Sequence, residues 1–348
     1  MSQELLDDRL RFVLAGCLNR DTILPVSGEP QIDVFGGNLA YAAVGLNLWG
    51  GMAGLLTRVG QDYPFEWLNG FESLGFSLSG IKIHKGEMDQ RRFMAHENLG
   101  TTHYQNPVEH FAERGLNYPQ SLLGYKAPST KDQAPDPNPS SRETPNKTSL
   151  QISDIPIAYL EASAVHICPI DYLSHIILPS VFRQRQASTI TLTSCPGYMD
   201  PAYWEEIPPL IADLTAFITP EAEVRNLFLG RQVNLWDMAG VLADFGPEYI
   251  LIQTEFQGYY LFDRVSEKRW VVPQYQSNIV DPTGVKDAFA GAFLAGYREH
   301  YDPLEAAVMA SVTASVVVEG SGVYYALGAM PGLIDARRLA LRELIQQV

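Results

Sequence analysis

The sequence predicts an α/β chain with a mainly parallel central sheet covered by helices on both faces. Two observations predict it. Between residues 163 and 254, short apolar strand-like runs alternate with helical ones, an order that right-handed crossovers turn into a parallel, doubly covered sheet. The stretch 280–297, VDPTGVKDAFAGAFLAGY, is a glycine turn running into a small-residue helix, with Ala288, Phe289, Ala292, Phe293 and Gly296 on one face. No internal repeat and no linker divides the 348 residues, so one domain is expected over 1–348.

Taken in order, Arg11–Gly16 reads as a buried strand. Leu14-Ala15-Gly16-Cys17 has the look of a lipoprotein cleavage box, but Glu4, Asp7 and Asp8 precede it and its apolar run is too short for a signal segment. An extended stretch from Thr22 to Val26 follows, and Phe35-Gly36-Gly37-Asn38 opens a helix ending at Gly50-Gly51. Ala53–Val59 is a strand and Phe65–Leu74 a helix. Ile81–Ile83 and Arg91–His96 alternate in polarity and are expected, with 22–34, in a small sheet outside the main one. Residues 126–149 hold five prolines and almost no large apolar side chain, which predicts an exposed insertion.

Beyond it, strands are expected at Ser163–Cys168, Ser188–Thr193, Ala216–Thr219 and Tyr249–Thr254. Helices are expected at Asp171–Arg185, Pro201–Leu210, Glu221–Leu229 and Asn234–Phe245. Gly258–Phe262 and Arg269–Val272 form a hairpin-like pair. Asp302-Pro303-Leu304-Glu305 is a helix start with a cap, a proline and a third-position glutamate, and a last helix covers Ala336–Gln346.

The composition narrows function. The chain is 46% hydrophobic and 19% charged, enough for a large core, and carries a net charge of −15. That acidity disfavours nucleic acid and anionic membranes as partners. Three cysteines, Cys17, Cys168 and Cys195, make no disulfide framework and suit a cytoplasmic protein. No apolar run approaches a membrane span. The histidines lack metal-ligand spacing and read as structural or surface residues. Cys195 has no assigned base and reads as a loop cysteine. There is neither a Walker A sequence nor a G-x-G-x-x-G after a strand. Arg91-Arg92 reads as a solvated strand edge or as a contact to a substrate phosphate.

The chemistry points to the turn at 281–287. A glycine turn opening a helix directs free N–H groups, backed by the positive end of the helix dipole, at one place that suits a phosphate. A carboxylate there, Asp287, is costly unless it takes a proton from an attacking hydroxyl. The plainer reading is a buried helix with a stabilising acidic first turn.

Asp281-Pro282-Thr283-Gly284-Val285-Lys286-Asp287-Ala288-Phe289 resembles the D-T-x-G-A-G-D-x-F motif of the ribokinase/PfkB family of carbohydrate and nucleoside kinases. Gly36-Gly37 through Arg58-Val59-Gly60-Gln61-Asp62 resembles that family's G-G-x-x-x-N-x-A helix followed by V-G-x-D. Gly16-Cys17-Leu18-Asn19-Arg20-Asp21 is similar to its first strand and G-x-x-N-x-D ending. The order of elements matches over nearly the whole chain except 126–149. The resemblance implies a ribokinase-like fold with a small β lid from strands near 22–34 and 82–96. It implies transfer of the ATP γ-phosphoryl group to a hydroxyl of a sugar or nucleoside, with Asp287 as base and the N–H groups of Gly284, Val285 and Lys286 as anion hole. Asp21 and Asn19 would bind substrate, with Gly37, Asn38 and Tyr41 in the same pocket. Thr254, Glu255, Gly258, Thr283 and Glu223 would handle the nucleotide. Mg²⁺ would ride on ATP, a monovalent cation such as K⁺ would sit beside Asp281, and lids would pair in a homodimer.

The departures fall on functional positions. The family's G-A-G-D is G-V-K-D here, so Lys286 either meets the γ-phosphate as a point charge or pairs with Asp287 and lowers its basicity. Tyr41 replaces the sugar-contacting asparagine. Thr219-Pro220-Glu221-Ala222-Glu223 lacks the asparagine of P-N-x-x-E and matches Glu223 only with a gap. Glu255 stands where the nucleotide loop T-x-G-x-x-G has its first glycine, and would repel phosphates. An active divergent kinase and a ligand-binding relative with little catalysis are both open on these residues.

Overall fold

The computed structural model describes residues 10–86, 88–127 and 142–348. In chain order these form β1 (Phe12–Ala15), β2 (Asn19–Leu24), β3 (Gln31–Gly36), α1 (Asn38–Asn47), β4 (Ala53–Gly60), α2 (Asn69–Ser73), β5 (Ser77–His84), β6 (Arg91–His96), β7 (Thr102–His103) and α3 (Pro107–Glu113). They continue with β8 (Ala164–Ile167), α4 (Tyr172–Arg183), β9 (Thr189–Thr193), α5 (Ile207–Ile211), β10 (Ala216–Pro220), α6 (Glu221–Leu227), α7 (Leu235–Asp244), β11 (Tyr249–Gln253), β12 (Tyr259–Asp263), β13 (Arg269–Val272), α8 (Val285–His300), α9 (Pro303–Val317), α10 (Pro331–Arg342) and β14 (Gln346–Gln347).

The main sheet runs β14-β13-β12-β11-β10-β9-β8-β1-β4-β5. From β11 to β5 every pairing is parallel, and β12, β13 and β14 add antiparallel neighbours at one edge. Strands β8, β9 and β10 are buried at every residue, as interior parallel strands must be when helices cover both faces. Two large apolar clusters lie on the two faces, one built around α1, α8 and α9, the other around α4 to α7. Among the described residues no helix is long and apolar enough to cross a membrane.

Three expectations are corrected. Ile81–Ile83 lie not in the small sheet but in β5, paired in parallel with β4 through Thr57↔Ile81 and Val59↔Ile83; their alternating polarity is that of a sheet edge. Helix α8 is buried on all sides from Ala288 to Tyr297 rather than on one face, because α1, α9 and the sheet enclose it. The last helix begins at Pro331 and stops at Arg342, since Gln346–Gln347 pair with β13. Of the 126–149 insertion, 128–141 lie outside the described residues; Arg142, just beyond, is ion-paired to Glu206 and stacked over Tyr203.

Close packing of α8 on α1 sets the position of the 281–287 turn. Gly45 and Gly291 face each other's helix so tightly that a Cβ on either would overlap the backbone carbonyl of Ala288 or Ala42. Gly291→Ala is therefore expected to cost about 1–3 kcal/mol, as overpacking does. Gly240→Ala on α7, where a Cβ meets nothing within 4 Å, is expected to gain up to about 1 kcal/mol. Urea denaturation of both variants checks this pair.

The small sheet, β3-β2-β6-β7, forms the lid. Leu24, Phe93 and Ala95 on one face pack against Phe111 and Leu122, so the chain's own 107–125 segment covers that face. On the opposite face the parallel β2–β6 register sets Asp21 beside Arg92.

Candidate functional site

The site lies where the carboxyl ends of β1, β8, β9, β10 and β11 meet the amino end of α8, the usual ligand position of an open α/β sheet. Gly284 caps α8 with φ 72°, the left-handed region that admits glycine without strain, and a Cβ there would overlap the Tyr41 ring. Tyr41 thus packs its ring on the 281–287 turn. The Val285 N–H bonds Pro282 O at 3.3 Å; among the described residues no protein acceptor is bonded by the amides of Gly284 or Lys286. Gln253 Nε2 donates to Lys286 O at 3.2 Å and anchors this first turn.

Asp287 stands in that turn. Burial pushes its carboxyl up to about 7; Arg92 and then Lys286 pull it down, and Asp21 pushes it up. Lys286 is exposed, and among the described residues no ion pair joins it to Asp287. The expectation of a lysine that pairs with the base and depresses it is corrected: burial prevails over the nearby charges.

Asp21 is buried and raised to about 6 by burial, lowered by Arg92 and by the Gly37 N–H, which donates to its Oδ2 at 3.3 Å, and raised by Asp281. Its Oδ1 and the neighbouring Asn19 Nδ2 are buried without a protein partner. Such orphans are costly in an apo pocket and are what a substrate hydroxyl satisfies. Asn38, by contrast, spends its amide on the backbone, accepting from Cys17 N at 2.7 Å and donating to Pro169 O at 2.6 Å.

The nucleotide-side residues are spread along the same rim. Glu223, in the first turn of α6, accepts from the Ser194 hydroxyl at 2.5 Å. Burial raises it to about 8 against the pull of Ser194 and Lys286, with Asp287 raising it further. Thr254 Oγ1 donates to Gly258 O at 2.6 Å and closes the loop after β11. Glu255 lies against the lid turn, where a Cβ on Gly100 would overlap its carboxylate.

Asp281 is buried; its Oδ1 accepts from Thr283 N at 2.9 Å and its Oδ2 has no protein partner. His96, from the lid, reaches Thr283 Oγ1 at 2.8 Å and Asp281 Oδ1 at 3.6 Å. Burial pushes His96 down to about 4, with Asp281 opposing and Arg114 assisting.

The structure therefore gathers Asp21, Tyr41, Asp281, Thr283, Gly284, Lys286, Asp287 and Glu223 around one centre, and sets Thr254, Glu255 and Gly258 at its edge. Sequence reasoning read Arg91-Arg92 as a strand edge or a substrate-phosphate contact, and named neither Gln253 nor His96 as a candidate site residue. Arg91 pairs instead with Asp89, but Arg92, Met94 and His96 alternate along β6 on the face that carries Asp21. That period-two face was the available signal.

Residues 141–329 match the family described as pfkB family carbohydrate kinase. A cytidine kinase of Thermococcus kodakarensis is 26% identical over 303 residues, spanning 86% of this chain and 92% of that protein. The nucleoside kinase of Methanocaldococcus jannaschii shares the fold with a TM-score of 0.62 at 17% identity, over 95% of this chain and 99% of that one. Aminoimidazole riboside kinase from Salmonella enterica, complexed with aminoimidazole riboside and an ATP analog, gives 0.64 at 16% identity over 94% and 99%.

Proposed function

The chain belongs to the pfkB family of carbohydrate kinases, whose match covers more than half of it, and from that premise we propose that it transfers the γ-phosphoryl group of ATP to a hydroxyl of a riboside or related sugar. The observation that carries this reading is the nearness of Asp287, at the α8 amino end, to Asp21, both facing Arg92 of the lid, with Asp21 Oδ1 buried and without a partner among the described residues. Asp21 and Asn19 would hold two substrate hydroxyls. Asp287 takes the proton of the attacking hydroxyl as its oxygen bonds to the γ-phosphorus and the bond to the bridging oxygen breaks, leaving ADP. The amides of Gly284 and Lys286, which take no protein acceptor among the described residues, and the helix dipole stabilise the charge on the transferring group, while the Val285 amide is taken by Pro282 O. Lys286 adds a point charge on the side facing Glu223. The riboside class is taken from the cytidine and aminoimidazole riboside relatives.

Two ions would be held by these residues. Glu223, whose carboxyl burial raises, would have to ionise on meeting Mg²⁺ carried by the nucleotide in order to help hold it; when bound, that ion supplies Lewis-acid charge neutralisation. The unpartnered Asp281 Oδ2 would take a monovalent cation such as K⁺. Among the described residues no group of three His, Cys, Asp or Glu side chains is arranged to hold a resident metal.

The test is ADP release with ATP and Mg²⁺ across a panel of pentoses, hexoses and purine and pyrimidine nucleosides. Turnover is expected to be highest on a nucleoside or other riboside. Preference for a hexose would overturn the substrate class, and no acceptor-dependent ADP with any compound would overturn the reaction.

A further inference from the structure

The lid is fastened to the catalytic loop at both of its turns. After β2, the amides of Val26 and Ser27 donate to Val280 O at 2.9 and 3.3 Å. At the end of β6, buried His96 uses both ring nitrogens: Nδ1 lies 2.8 Å from Thr102 Oγ1 on β7, and Nε2 lies 2.8 Å from Thr283 Oγ1. Arg114 ties the two turns together, donating to Pro25 O at 2.7 Å and to His96 O at 3.0 Å. A histidine serving only its own sheet would stop at Thr102. This one spans 187 positions to the residue preceding Gly284, and it lies 3.6 Å from the carboxylate that accepts the Thr283 N–H.

We propose that His96 is a positioning residue that latches the lid to the anion-hole loop, so that the amides of 284–286 are held in place only when the lid is down over the acceptor. The inference rests on the kinase reading above and extends it to how acceptor binding is made a condition of phosphoryl transfer. The loop has anchors of its own, Thr283 N on Asp281 Oδ1 and Gln253 Nε2 on Lys286 O, but among the described residues the Thr283 side chain is bonded to His96 of the lid. The latch is built on lid strand β6, so an open lid withdraws it, the anion hole loosens, and ATP is spared from water. Binding energy of the acceptor is thereby used to assemble the site, which is induced fit.

A double-mutant cycle tests it: kcat, and KM for ATP and acceptor, are measured for His96→Leu, Thr283→Val and the double variant, with melting temperatures. Each single change is expected to lower kcat roughly 10–100-fold, the scale of a misplacement of about 1 Å in a reacting group, with acceptor KM moving less than about threefold. The double variant is expected to match the worse single one, because both break one contact. His96→Gln, which keeps a hydrogen-bonding group near the Nε2 position, is expected to recover most of kcat. Unchanged kcat in His96→Leu, or losses that multiply in the double variant, would overturn the latch. If His96→Leu does not fold, Thr283→Val against Thr283→Ser carries the test: serine restores kcat if the latch is real and does not if it is absent. A wild-type protein without phosphoryl transfer overturns the parent reading instead; a transferring wild type with an additive cycle overturns the latch alone.

Discussion

Asp287→Asn lowers kcat about 10²–10⁴-fold, the contribution expected of a positioned general base, while acceptor KM changes little because Asp21 and Asn19 still hold the substrate. The pH dependence carries the same signature. Burial raises the Asp287 carboxyl to about 7, and only the ionised form accepts a proton. In the wild-type enzyme kcat/KM therefore rises with pH up to about 7, tenfold per unit on the acid side, and levels off above it. The asparagine variant loses that limb. Stability moves the other way. An acid whose folded pKa lies above its unfolded value stabilises the fold at low pH and loses that contribution as pH rises through the folded value. Above about 7 the buried carboxylate is a cost that asparagine removes. The variant is expected to melt higher than wild type at pH 8, which separates lost chemistry from lost folding. Activity within tenfold of wild type would remove Asp287 from the base role.

Gly284→Ala produces the second large effect, through geometry. The residue sits at φ 72°, where a Cβ costs roughly 1–2 kcal/mol, and that Cβ would overlap the Tyr41 ring. The turn must shift, and with it the amides of 284–286. Loss of one anion-hole donor costs about 10²–10³ in kcat, and Gly284→Ala is expected in that range with ATP binding reduced far less. Trimming the ring in Tyr41→Ala together with Gly284→Ala relieves the clash but not the dihedral strain, so only part of kcat returns. Full activity in Gly284→Ala would mean the turn does not stabilise the transferring phosphoryl group.

What was legible in the sequence follows from what each residue depends on. Interior parallel strands such as Thr189–Thr193 and Ala216–Pro220 are short, fully buried runs bounded by turns and needed no partner to be recognised. Asp287 stood out because a glycine-bearing turn opens its helix, whereas Asp21 was reached only through the resemblance of Gly16–Asp21 to the family's G-x-x-N-x-D ending. Ile81–Ile83 misled because an exposed edge of the main sheet and a lid strand share one alternation of polarity. His96 stayed hidden, and Arg92 was left between a strand edge and a phosphate contact, for a different reason. Their role depends on a parallel register, Asp21↔Arg92, between strands far apart in the chain, and no local spacing encodes it. Lys286 was legible as a departure but not in its consequence. Whether it quenches Asp287 depends on where the ammonium lies, and burial rather than an ion pair governs that carboxyl.

Phosphorus-31 NMR of the protein with ATP, Mg²⁺ and the preferred riboside is the most direct measurement of phosphoryl transfer. A phosphomonoester resonance that grows in step with ADP, and is absent with Asp287→Asn, is the expected result. Thermal stabilisation of the protein by the riboside, with ATP bound and no phosphomonoester formed, would contradict it and identify a ligand-binding relative built on a kinase fold.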